Sequence, residues 1–124
     1  MLIESNTLRE IEKGYEAKYK LDEERRFKAE CRRNKLFGLW IAKYLGLSGD
    51  AALGYAKALV RFGLEHPGRD RLLAHVNQEL MGKGVNLTEQ DLLAWIGHCQ
   101  ATSEEQIARG FPTALDRDHS RIGD

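Results

Sequence analysis

The sequence predicts an all-α protein: a small antiparallel four-helix bundle with a long N-terminal helix or arm and a disordered C-terminal tail. Three observations carry this. No stretch sustains the apolar and polar alternation of a half-buried strand. Apolar residues recur instead three and four positions apart, which places them on one face of a helix. Gly and Pro fall where such helices would end, at His66-Pro67-Gly68 and Gly82-Lys83-Gly84. A chain of 124 residues suits one core. The organisation read from it is an amphipathic arm at 1–21, a helix-bundle domain at 22–109 and a tail at 110–124.

The first helical segment runs from about Thr7 to Leu45, with Thr7 as N-cap and Glu10 completing a capping box. Leu8, Ile11, Tyr15 and Tyr19 then share one face. Carried forward at 100° per residue, that face passes through Glu23, Arg26, Glu30 and Arg33 before reaching Phe37, Trp40, Ile41 and Tyr44. Burying four ions without full pairing costs several kcal/mol each. The charged middle therefore reads as a solvated spacer between an apolar arm, to about Leu21, and a core segment from about Leu36. Glu16 with Lys20 and Glu24 with Lys28 support the helix at i,i+4, and Gly14 weakens it.

Ser48 caps the second helix, whose inner face is Ala52, Tyr55, Ala56, Leu59 and Phe62. The third spans about Arg69 to Met81 with Leu72, Leu73, Val76 and Leu80 inward, and Gly82 and Gly84 supply the left-handed residue that ends it. Thr88 caps the fourth, with Asp91 at the capping-box position and Leu87 stapling against Leu92. Its inner face is Leu92, Trp95, Ile96, Cys99 and Ile107. Short connections favour antiparallel neighbours. After Gly110 the sequence has no period and little to bury, so a disordered tail is expected.

Composition narrows the function. Nineteen basic and nineteen acidic residues cancel, which argues against duplex nucleic acid or an anionic membrane as a bulk-charge partner. No apolar run approaches the roughly 18 residues of a membrane span, and residues 1–7 lack a secretory signal, so a cytoplasmic location is expected. Cys31 and Cys99 read as reduced thiols, the first partly covered and the second in the core. The four histidines lack metal-ligand spacing, and no nucleophile elbow or phosphate loop occurs. Neither an enzyme nor a bound cofactor is expected.

Two features remain. Arg32, Arg33, Asn34 and Lys35 could cradle a phosphate, with Trp40 packing on a base; the alternative is a solvated basic turn of helix. Leu8, Ile11, Tyr15 and Tyr19 could dock on another protein; the alternative is that this face folds back onto the bundle. Burying four such side chains gives on the order of 6 to 10 kcal/mol, while ordering about 14 residues costs roughly 1 to 2 kcal/mol each. A docking arm must therefore be partly helical beforehand, gain polar contacts, or be tethered near its target.

The runs EAKY at 16–19, DEE at 22–24, FKA at 27–29, RRNKL at 32–36, GLW at 38–40, LG at 45–46, SG at 48–49 and YAK at 55–57 resemble the zeta-type inhibitor subunits of alphaproteobacterial F-type ATP synthases. The likeness is dense over about residues 15–60 and stays in register, by helix ends, to about residue 108. It implies a four-helix bundle whose N-terminal segment enters the catalytic head of the ATP synthase near its rotating stalk and blocks ATP hydrolysis. It also implies adenine-nucleotide binding, of ATP or ADP, on the bundle, and a place at the inner face of the membrane without insertion into it. The rivals are a nucleotide-binding bundle without inhibitory activity and a purely oligomerising one.

Overall fold

The computed structural model describes the backbone of residues 2–110 and the side chains from Asp22 to Gly110. Four helices follow one another: α1 (Leu2–Tyr44), α2 (Gly49–Glu65), α3 (Arg69–Gly82) and α4 (Glu89–Ala108). No strand occurs among the described residues, and the all-α expectation holds. The tail expected at 110–124, apart from Gly110, and the side chains of Leu8, Ile11, Tyr15 and Tyr19 lie outside the described residues.

α1 begins earlier than the capping box suggests, at Leu2, so Thr7 lies within the helix. Nothing in Leu2–Asn6 breaks a helix, and continuing the run satisfies the backbone N–H groups that a cap at Thr7 would have served. The other ends follow their signals more closely. At the end of α1, Leu47 N–H donates to the Ala42 carbonyl at 2.8 Å and Gly46 N–H to the Lys43 carbonyl at 3.2 Å. The same pair of bonds closes α3, from Val85 to Leu80 at 2.9 Å and from Gly84 to Met81 at 3.0 Å. Both closures need a left-handed residue, and Gly46 (φ 78) and Gly84 (φ 72) supply it. Gly82 is the last helical residue of α3 and does not take that conformation.

Ser48 occupies the N-cap of α2 but makes no side-chain cap bond, whereas Thr88 and Asp91 form the full reciprocal box at the start of α4, each bond 3.0 Å. A predicted position was right in both cases. Only α4 uses the hydroxyl.

α1 is the hub, packing antiparallel against α2 on one side and α4 on the other, while α3 closes the bundle against α2 and α4. Along the first seam Gly38 lies so close to Ala56 that an added Cβ would stand 2.8 Å from the Ala56 Cα. Along the second, Ser103 Oγ donates to the Ala29 carbonyl at 2.8 Å, and the rings of Trp40 and Trp95 stack with centroids 4.9 Å apart. Phe37, Ile41, Leu59, Leu72, Leu73, Val76, Leu80, Leu92, Ile96 and Cys99 form one buried cluster. The inner faces expected for α3 and α4 are thus largely in place, with Trp95 and Ile107 only partly covered.

The charged middle of α1 is not the uniform solvated spacer expected. Asp22 to Phe27 are all exposed, but Ala29, Cys31, Arg32, Asn34 and Lys35 are buried. The reason is geometric: a helix held between two neighbours is covered on two faces. A single stripe followed through Glu23, Arg26 and Glu30, which are exposed, misses the buried positions between them. Cys31, expected to be partly covered, is 4% exposed and packs with Val60 of α2.

Candidate functional site

Both candidate sites lie on α1. The arm residues Leu8, Ile11, Tyr15 and Tyr19 fall in its first half, on backbone that is continuous with the core segment. At 43 residues, α1 is more than twice as long as the 17-residue α2 or the 20-residue α4. One antiparallel partner of that length cannot cover it, since each residue advances the helix by about 1.5 Å. The first described turn, Asp22 to Phe27, is wholly exposed and carries five charges and one large ring, Phe27, at 54% exposure.

The basic cluster is built inward. Arg32 is 3% exposed and Lys35 is 1% exposed, so neither belongs to a solvated turn. Arg32 Nη1 donates to Gln106 Oε1 of α4 at 2.9 Å. Arg33 donates from Nη1 to Gln100 Oε1 at 3.1 Å and from Nε to Asn34 Oδ1 at 3.0 Å. Two glutamines on α4 thereby hold two arginines on α1. Burial lowers the pKa of the Arg33 guanidinium, with Glu30 opposing that shift.

Arg33 alone of the cluster lines a cleft of about 480 Å³ between α1, α4 and the start of α3, together with Arg26, Glu30, Arg69 and Gln100. Trp40 lines a different cleft with Tyr44 and Trp95. The structure therefore brings Arg33 together with Arg26 and Arg69, and sets Trp40 apart from them. Arg69 carries no local signal beyond its place at a helix start. Its approach to Arg33 depends on how α3 docks, which a linear reading does not reveal.

The remaining chemistry is quiet. Burial raises the Cys99 thiol to about 11 and raises that of Cys31, where Glu30 adds to the effect, so both stay protonated near neutrality. Tyr55 donates its hydroxyl to Glu79 Oε1 at 2.9 Å, and burial followed by the Glu79 charge raises its pKa. Phe62 stacks on His75 at 4.1 Å between centroids, joining α2 to α3. No group of three or more His, Cys, Asp or Glu among the described residues could hold a metal ion. No described helix is long and apolar enough to cross a membrane.

The described residues form an all-α bundle whose longest helix, α1, outruns its neighbours. Residues 5–106 match the family model of ATPase inhibitor subunit zeta, and the chain belongs to that family. No curated protein and no solved structure matched it.

Proposed function

We propose that the protein inhibits ATP hydrolysis by the F-type ATP synthase by inserting the first half of α1 into the catalytic head. The supporting observation is that this segment and the core segment are one helix, Leu2–Tyr44, joined through the exposed turn Asp22–Phe27. A segment already helical loses less conformational freedom on docking, which removes the main objection to four apolar anchors driving the contact. Leu8, Ile11, Tyr15 and Tyr19 are the anchors of this reading. Inhibition is steric: a helix wedged between subunits that must move past one another favours the conformation that holds it and raises the barrier to rotation.

Deleting residues 1–20, with circular dichroism to check that the bundle remains, is expected to abolish inhibition of the matching enzyme head. Equal inhibition by the full and shortened chains removes the arm from the mechanism.

A second reading, an adenine-nucleotide-binding bundle without inhibitory activity, is favoured by one observation: Arg26, Arg33 and Arg69 line a single cleft, where they outnumber the carboxylates Glu30 and Glu104. Three guanidinium groups suit a polyphosphate. Titration with ATP should shift the amides around Arg33 and Arg69. Shifts scattered elsewhere, or absent at millimolar nucleotide, count against it.

A further inference from the structure

At the opposite end of the α1–α4 seam from the arginines, aromatic rings run in a contiguous row. Trp40 meets Tyr44 edge to face at 5.0 Å, stacks on Trp95 at 4.9 Å, and Trp95 leans on His98 at 5.0 Å. These four side chains line an open cleft of about 440 Å³, together with Leu87, Asp91 and Ala94. Neither tryptophan is fully buried, and Tyr44 is 43% exposed, so the row sits at the solvent boundary and not inside the core.

The ionisable groups of the cleft are Asp91 and His98. Among the described residues no Lys or Arg lines it, and the Asp91 carboxylate is held below the usual range by the backbone N–H of Thr88 and then by the Thr88 side chain. Oδ2 of Asp91 accepts that N–H, and the carboxylate is exposed. Tryptophan and tyrosine faces carry negative quadrupole potential, so rings and carboxylate attract the same kind of group.

We propose that the cleft between the C-terminal end of α1 and the N-terminal half of α4, lined by Trp40, Tyr44, Trp95 and Asp91, binds an arginine side chain presented by a partner polypeptide. A planar guanidinium lies against aromatic faces while its N–H groups reach a carboxylate, and it matches this combination better than a compact ammonium. The cleft is separate from the arm, and the assignment holds whether or not the arm inhibits.

Trp40 and Trp95 are the chain's only tryptophans, so intrinsic fluorescence of the full-length protein reports on this cleft directly. The probe is a short amidated peptide centred on arginine, compared with the same peptide carrying citrulline or glutamate. The arginine peptide is expected to give a saturable change at up to about 10 mM, at least about fivefold tighter than either control. Asp91→Asn removes the charge while keeping an oxygen to accept from Thr88, so the helix start survives. It is expected to weaken the arginine peptide by about threefold or more, with the circular dichroism spectrum unchanged. Tyr44→Ala is expected to weaken it as well. An absent response, an equal response to the citrulline or glutamate peptide, or unaltered affinity in both variants overturns the proposal.

Discussion

Residues 22–27 and 29–42 are neighbouring stretches of α1, yet every side chain in the first is exposed while most in the second are covered by α2 or α4. Asp22 with Arg26 in the exposed turn, and Glu24 with Lys28 just beyond it, are spaced at i,i+4, and local support of this sort is worth only a few tenths of a kcal/mol per pair. In the packed stretch Phe37 and Ile41 are wholly buried and Gly38 brings two backbones together. The difference teaches that one continuous helix can be maintained by two unlike means. Charge and propensity sustain it where it is wet, and packing sustains it where it is dry.

The comparison breaks if the two stretches respond alike to truncation. Ile41→Ala is expected to destabilise by about 2 to 5 kcal/mol in urea unfolding. Phe27→Ala, in the exposed turn, is expected to stay within about 0.5 kcal/mol of the parent despite removing a larger side chain. Two glycines sharpen the point. Gly38→Ala forces a methyl group against the Ala56 Cα and is expected to cost about 1 to 3 kcal/mol, even though alanine is the better helix former. Gly54→Ala meets nothing within 4 Å and is expected to stabilise by up to about 1 kcal/mol. Thermal melts of the two variants moving in the same direction would defeat the argument from seam distance.

Ser103→Ala removes the buried hydroxyl that bonds the Ala29 carbonyl, where the packed stretch begins, and is expected to cost about 1 to 2 kcal/mol. Two further effects are in pH. Cys99 has a folded pKa of about 11 against an ordinary 9.0, so its contribution is complete below pH 9 and fades as pH rises toward 11. Cys99→Ser or Cys99→Ala should flatten that alkaline limb. Asp91 has the opposite sign: its pKa is lowered from 3.8, so its contribution is present above that value and disappears as pH falls through the folded pKa. The acid limb of the stability curve of Asp91→Asn should be correspondingly shallower.

What could be read from the residues follows the same division. The helix ends at Leu45–Ser48, His66–Arg69 and Gly82–Gly84 were visible because caps and left-handed turns are local requirements of glycine, proline and hydroxyl residues. The inward faces of α3 and α4 were visible because one period describes a helix buried on one side. Arg32, Asn34 and Lys35 are buried, against both the phosphate cradle and the wet turn that their sequence suggests, because their burial depends on residues far along the chain. Gln106, the partner of Arg32, lies 74 positions away. The stacking of Trp40 on Trp95 escaped for the same reason, each ring looking like ordinary core in its own helix. Thr7 shows the converse error, a good local signal overridden because the helix simply continued.

The unbroken run from Leu2 to Tyr44 makes the molecule behave like a screw thread with a fixed pitch. One residue inserted between Asp22 and Phe27 would turn the leading end by about 100° and advance it by about 1.5 Å, whereas seven would restore its bearing to within about 20°. The direction in which the tip points is therefore set by counting residues through a stretch that is exposed throughout, so even a solvent-washed turn constrains the length of the chain.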